Sequence, residues 1–449
     1  MALLSKEDAK KILEKAVAFS KADGISAQLS GAERGNIRYA RNSVTTSGED
    51  SNLSLGVNSF FGKKSGSATI NEFDDASIEK VVRRAEELAK LAPENPEFMD
   101  PLPQQNYGEE GKTFSEATAK ITPDMRAQAA SDSITPAVSK DVTAAGYLQD
   151  SRGFSSIMNN KGLYAYNKQT SVDFTVTMRT NDGTGSGWAA QDLNDVSKLN
   201  AGATSKVAID KAVMSREAKA IEPGKYTVIL EPAAAADLVR LMLNMNARTA
   251  DEGRSFLSKK GGGTKLGEKL VDERVNIYTD PWHDEVPSSP WTPDGLARQK
   301  MDLIRGGVVK NLVYDRYWAS QKNVAAVPFP GNAIMDGGNV SFEDMVKDTK
   351  RGVLVTRFWY IRPVDPQTLL FTGLTRDGTF FIENGKIKHP IKNFRFNESP
   401  IIMLNNLEAL GKQVRAVTSE GGGPGGGMNL LIPYMKIRDF TFTSLSDAV

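Results

Sequence analysis

Apolar and polar positions change period several times along this chain, and each change marks an element. Ser5 followed by Asp8 reads as a helix-starting capping box, and Ile12, Leu13, Ala16 and Val17 then recur at helical spacing. After Asp23-Gly24 the segments become short and Ser/Thr-rich. Leu53, Leu55 and Val57 alternate with Asn52, Ser54 and Asn58, the period of a half-buried strand, and Ser47-Gly48 and Phe61-Gly62 read as turns. Helical spacing returns with Ile78, Val81, Val82, Ala85, Leu88 and Ala89, and Pro93 and Pro96 stop it. The first hundred residues therefore read as helix, antiparallel strands, helix.

Pro93 to about Gly111 reads as a connection, after which the same architecture repeats. A weaker helix is expected from Met125 to Val138. Val172, Phe174, Val176 and Met178 then alternate with polar residues between the turns Asn160-Lys161-Gly162 and Asn181-Asp182-Gly183. A helix from about Val196 to Val213 closes this half. Glu222-Pro223-Gly224 marks a boundary ahead of the apolar strand Tyr226 to Leu230, and a helix opens at Pro232 with Leu238, Leu241, Met242 and Met245 on one face. Beyond Gly261-Gly262-Gly263, residues such as Val308, Leu312, Val353, Val355, Leu369, Phe371, Phe380 and Ile382 sit in strand-like surroundings. A last strand is expected over Leu431 to Ser444, after the glycine run Gly421 to Gly427. The expected fold is α/β of the α+β kind: a helix and antiparallel-strand domain over 1–221, and a sheet-rich domain over 222–449.

Composition removes much chemistry. Of 449 residues, 40% are hydrophobic and 25% charged, as in ordinary globular chains. There is no cysteine, which excludes disulfides, thiolate nucleophiles and cysteine-ligated metals, and two histidines cannot build a three-His metal site. A net charge of +1 supplies no general field for nucleic acid or anionic membrane. The first residues are charged from Lys6 onward, with no apolar stretch of signal-peptide length and no membrane span, so the expected compartment is the cytoplasm.

The remaining candidates are few. Gly261 to Gly267 and Gly421 to Gly427 lack the Gly-Lys-Ser/Thr ending of a phosphate loop and read as flexible connections. His283, within Asp280-Pro281-Trp282-His283-Asp284-Glu285, has oxygen ligands nearby but reads as an exposed mixed-charge turn, and His389 as a surface residue in a lysine-flanked turn. No Gly-x-Ser-x-Gly elbow is present, and the carboxylates do not resolve into a catalytic pair.

Several blocks together are more telling than any one of them. Arg41-Asn42-Ser43, Leu55-Gly56-Val57, Gly66-Ser67-Ala68-Thr69, the run Gly224 to Leu230, Ser255-Phe256-Leu257-Ser258, Gly267-Glu268-Lys269, Gly373 with Arg376, Ile382 to Ile387 and Ile437 to Ser444 resemble, in order, blocks of the TldD/PmbA family, also called modulators of DNA gyrase. The resemblance implies a two-domain α/β fold and a place in a cytoplasmic proteolytic assembly. It also implies that catalytic members carry His-Glu-x-x-x-His on a helix, with a Cys near the C-terminus completing a zinc site. Aligned on the strand from Gly224, those positions fall on Arg240, Leu241 and Met245. None of these side chains does the work of a His or Glu, and the Cys is missing.

The resemblance therefore implies a TldE/PmbA-like chain that binds no zinc itself and pairs with a zinc-bearing TldD-like subunit to process or degrade peptides. The peptide could bind by strand addition to a sheet edge. Arg240, Arg254 and the Gly421 to Gly427 loop are the candidates for lining a peptide chamber; for both arginines the ordinary alternative is a solvated side chain. Two other functions compete: a stand-alone homo-oligomeric binding protein for peptides or small molecules, and a modulator of DNA gyrase, which the near-neutral charge disfavours.

Overall fold

The computed structural model describes residues 3–108, 111–419 and 427–446. Its N-terminal half is built from one unit used twice. The first unit runs helix Lys6–Phe19, strands Gly24–Ala40, Ser43–Phe61 and Lys64–Ile70, helix Asp75–Leu91. The second runs helix Pro123–Ser139, strands Val142–Asn159, Tyr164–Thr180 and Ser186–Leu193, helix Ala201–Met214. Strands Gly24–Ala40 and Val142–Asn159 pair antiparallel at the centre, so the six strands form one continuous antiparallel sheet with the shorter strands outermost.

The alternation of residues explains the layering. Ala27, Leu29, Leu55 and Val57 are buried with Leu13, Val82 and Ala85 of the first unit's helices. In the second unit Val172, Phe174, Val176 and Met178 pack with Ala130, Ala208 and Ala212. Because side chains on a strand alternate, the other face of the sheet receives the intervening polar residues.

Both units seat a helix on the sheet through a glycine. A Cβ on Gly66 would lie 2.2 Å from Ala89 N and 2.5 Å from Ala85 O, and one on Gly187 would lie 2.1 Å from Ala208 O and 2.6 Å from Ala212 N. These neighbours are helix backbone and cannot step aside as a flexible side chain would. Gly66→Ala is therefore expected to lower stability by about 1–3 kcal/mol, read as a lower midpoint in chemical unfolding; an unchanged midpoint would show that the helix shifts freely.

Several expected elements have moved. Ser47 and Gly48 lie inside the continuous strand Ser43–Phe61, Gly48 opposite Asn36, and the chain turns at Arg41-Asn42, where φ is 53° and 59°. Two adjacent left-handed residues make the tight hairpin turn that matches strand twist, and Asn tolerates that conformation well. The helix expected from Val196 is interrupted: a short 3-10 turn, Val196–Lys198, precedes helix Ala201–Met214, whose N-cap is Asn200. The helix opening at Pro232 ends at Met242, so Met245 lies beyond it in an extended segment where its carbonyl accepts from Val313 N. His389 belongs to strand Lys386–Pro390, half-buried with its ring 5.4 Å from that of Phe381.

The C-terminal half forms a second, thirteen-stranded mixed sheet. Strand Gly224–Leu230 is central, flanked by Arg351–Val355 in parallel and Asn429–Leu445 antiparallel. Helix Pro232–Met242 is set in a core that includes Val228, Leu238, Met242, Phe358, Phe396 and Phe440. Short helices Ala247–Asp251, Arg316–Lys322, Phe342–Lys347 and Pro400–Asn405 add to the one early helix expected here. We propose the domain boundary at 221/222, since among the described residues no strand of one sheet pairs with a strand of the other.

Candidate functional site

The C-terminal half stands against part of the polar face of the N-terminal sheet and leaves a cleft of about 760 Å³. Ser30 and Arg34 of one central strand, Ser151 and Ser155 of the other, and Gln169 and Ser171 of the next make the sheet-side wall. Their spacing of two or four is the strand period, out of phase with the buried Leu29, Leu148 and Val172. The opposite wall carries Ser288, Arg298, Phe329, Arg415, Thr418 and Asn429. Short hydroxyl and amide groups predominate, which suits a ligand that offers many hydrogen-bonding groups along its length.

Arg415 fixes the two halves across the cleft floor. Its side chain is 8% exposed, and one terminal nitrogen donates to Asn194 Oδ1 at 2.7 Å and Glu285 O at 2.9 Å while the other donates to Asp192 Oδ1 at 2.9 Å and Asn429 Oδ1 at 3.0 Å. A planar fork can satisfy four acceptors from both halves, which a single ammonium cannot. Lys211 to Glu231 at 2.6 Å and the bidentate Arg248 to Glu97 pair also join the halves.

Beyond Thr418 at the cleft wall lies a buried charged cluster centred on helix Pro232–Met242. Asp237 is fully buried; its Oδ1 accepts from Ser419 N at 2.8 Å and its Oδ2 has no hydrogen-bond partner. Burial pushes its carboxyl up to about 7, against the opposing pull of the Ser419 bonds and of Arg357 and Arg240. Arg357 donates from Nε to Ser419 Oγ at 3.0 Å and pairs with Asp377 at 2.5 Å, and Asp377 in turn accepts from Ser186 Oγ of the N-terminal sheet. Burial pulls the Arg357 guanidinium down, with Asp377 and Asp237 opposing. Its plane lies 4.3 Å from the ring centre of Trp188 and 5.0 Å from that of Trp359, and Arg376 lies 5.1 Å from Trp359.

The structure does not gather the positions singled out in the sequence into one site. Arg240 is half-buried at the end of the helix, its Nε without a partner and its charge felt by Asp237. Leu241 packs on the apolar core, and Met245 is 1% exposed within it. Arg254 is exposed and paired with Glu252. Neither arginine lines the cleft. Of the glycine run, 421–426 lie outside the described residues, while Gly427 lines the cleft. Gly261 to Gly263 form an exposed turn closed by Lys259 N to Gly263 O. His283 accepts through Nδ1 from Glu285 N, and Asp284 pairs with Lys112.

The residues at the implied metal positions do not fit a zinc ion: Arg240 is a cation, Leu241 has no donor atom, and the Met245 thioether is enclosed by hydrocarbon. Among the described residues, no group of three or more His, Asp or Glu side chains is arranged to hold a metal. Sequence reasoning missed Asp237, Arg357 and Asp377. One signal was present, since an acid inside the run Ala233 to Val239 is an anomaly in a buried helix.

Comparison with known proteins places this geometry. Three family models match in order: PmbA/TldA metallopeptidase domain 1 over 29–89, the central domain over 112–216 and the C-terminal domain over 223–444. A metalloprotease of Methanothermobacter thermautotrophicus is 23% identical over 304 residues, covering 61% of this chain and 63% of the relative's own length. The metalloprotease PmbA of Escherichia coli O157:H7 is 22% identical over 441 residues, covering 94% and 91%. Two solved structures share the fold: a Thermotoga maritima protein described as a candidate modulator of DNA gyrase, TM-score 0.84 at 17% identity over 97% of this chain and 100% of that one, and TldE of Thermococcus kodakarensis, TM-score 0.83 at 17% identity over 98% and 100%. With all three domain models matched in order along one chain, the protein belongs to the PmbA/TldD metallopeptidase family.

Proposed function

We propose that this chain is the non-catalytic, TldE/PmbA-like subunit of a peptide-processing assembly, paired with a zinc-bearing TldD-like subunit that supplies the hydrolytic centre. The observation that carries this reading is the side-chain chemistry at the motif positions: a cation, a hydrocarbon and a core thioether, in a chain with no cysteine. The cleft supports a part in holding substrate, because its hydroxyl and amide lining suits the main chain of an extended peptide better than an apolar small molecule. The chain's own residues would then bind and orient the peptide, while a zinc site in the partner would supply the hydrolytic chemistry.

Co-expression with a TldD-like metallopeptidase is expected to give a complex that cleaves an unfolded peptide, with cleavage lost when the partner's motif Glu is replaced by Gln. Zinc-dependent cleavage by this chain purified alone would overturn the proposal. No helix among the described residues is long and apolar enough to cross a membrane.

A further inference from the structure

The charges lining the cleft do not balance. Three arginines, Arg34, Arg298 and Arg415, stand against two aspartates, Asp173 and Asp192. Arg415 is met by Asp192, and Arg34 lies 3.7 Å from Asp50. Arg298 forms no ion pair among the described residues: Asp294, the acid whose charge it feels, accepts from Thr292 Oγ1 and lies 3.9 Å from Arg316.

Local sequence accounts for part of what this side chain does. Pro287, Pro290 and Pro293 keep their loop out of a regular ladder, so its carbonyls need other donors. Arg298 supplies them: Nε donates to Phe329 O at 2.9 Å, and Nη1 to Ser289 O at 3.1 Å and Trp291 O at 2.9 Å. These carbonyls fix the guanidinium without neutralising it, and Nη2 has no hydrogen-bond partner among the described residues. A second unsatisfied group lies close by. Ser288 is 8% exposed and its Oγ has no partner, a costly state for a buried hydroxyl. A Cβ on Gly331 would lie 2.5 Å from that Oγ and 3.1 Å from Arg298 Nη1, so hydroxyl and guanidinium meet over a bare Cα. Gly331 is not among the glycines of positive φ; it serves the close approach, not a turn.

We propose that Arg298 and Ser288 form a carboxylate subsite in the cleft, which selects peptides bearing a free C-terminus or an Asp or Glu side chain over uncharged ones. The inference rests on the reading that the cleft holds peptide and names what it prefers. One carboxylate oxygen accepts from Arg298 Nη2; Ser288, turning about its Cα–Cβ bond, donates to the other. A guanidinium already fixed by three carbonyls loses little freedom on binding, which favours a tight contact. The cleft's excess of one positive charge matches a single carboxylate, whereas a doubly charged phosphate would leave a charge unmet.

The test is titration calorimetry of the purified chain with N-acetylated peptides of about ten Gly, Ser and Ala residues. Four forms are compared: a C-terminal acid, its amide, and the amide with one central Glu or Gln. A carboxylate is expected to tighten binding about tenfold over the matching neutral peptide, the worth of a charge-assisted hydrogen bond. A gain confined to the free C-terminus or to Glu identifies which carboxylate the subsite takes, and either supports it. Arg298→Gln is expected to bring the charged-to-neutral ratio to about one; loosening of the loop would weaken both peptides alike and leave the ratio unchanged. Ser288→Ala breaks no hydrogen bond of the fold and is expected to lower the ratio about two- to threefold. Equal binding of charged and neutral peptides, or a ratio that neither variant lowers, would overturn the subsite and leave the peptide-holding reading standing. Failure of all four peptides to bind would overturn both.

Discussion

Arg415→Ala is expected to destabilise the chain by about 3 kcal/mol, a value at the lower end for breaking a buried ion pair because Asp192 keeps 24% of its surface exposed. The loss comes less from the arginine than from what it leaves behind. Asp192, Asn194, Glu285 O and Asn429 lose a shared donor at the junction of the two halves, and the carboxylate is stranded beside a polar but narrow cleft. Two companion variants separate that account from lost packing. Arg415→Lys restores the charge but not the fork, and should recover no more than about half of the loss. Asp192→Asn in the Arg415→Ala background removes the stranded charge and should also recover part of it. The measurement is the calorimetric unfolding profile of all four proteins. An Arg415→Ala profile within about 0.5 kcal/mol of wild type, the ordinary range for surface changes, would show that the other contacts across the junction suffice without this side chain.

How far the sequence revealed this arrangement depends on the range of the forces involved. Local signals were read well. Ser5 caps its helix by accepting from Asp8 N, and Val172, Phe174, Val176 and Met178 are all buried on the helix-covered face, because period and capping act over a few residues. The repeat of helix, strands and helix was visible for the same reason. The hairpin turn was misplaced because Ser47-Gly48 has better turn composition than Arg41-Asn42. What decided the matter was pairing with strand Gly24–Ala40 along residues 43–60, interrupted at Thr45 but continuing through Ser47 and Gly48, a property of two strands at once. Met245 looked like part of the helix because apolar spacing continues past Met242, where the chain leaves the helix to pair with Val313.

The site was less legible than the fold. The cleft draws Ser30, Ser151, Ser171, Ser288 and Arg415 from five distant segments, and none belongs to a local motif. Periodicity could say that Ser171 points away from the core, but not what would stand opposite it. Loss of the metal chemistry, by contrast, was legible at single positions, because side-chain identity alone decides whether Arg240, Leu241 or Met245 can act as His or Glu.

Asp237→Asn is expected to make the chain relatively more stable than wild type as pH rises from about 4 to 7.5. The direction follows from burial. The Asp237 carboxyl is raised from 3.8 to about 7 in the folded chain, so the folded state holds this proton to higher pH than the unfolded state does. The stability it contributes is fully present below about pH 4 and is lost as pH rises through 7. Above that, an ionised carboxylate stays fully buried with one oxygen unpartnered, eased by Arg357 and Arg240. The full change amounts to at most about 4 kcal/mol at one ionisation per 1.36 kcal/mol per pH unit. Asn keeps an oxygen to accept from Ser419 N and carries no charge at any pH, so its curve lacks this component. Asp150 and Glu398, whose carboxyls burial also raises, titrate in both proteins and cancel in the difference. The check is the unfolding midpoint of both proteins at half-unit steps from pH 4 to 8.5. Parallel curves would mean that Asp237 is ionised throughout and that the arginines hold it as a true ion pair. A gap that widens toward pH 7 and then levels would show a proton held inside the fold, one residue beyond the cleft wall, where Ser419 leads into the glycine run.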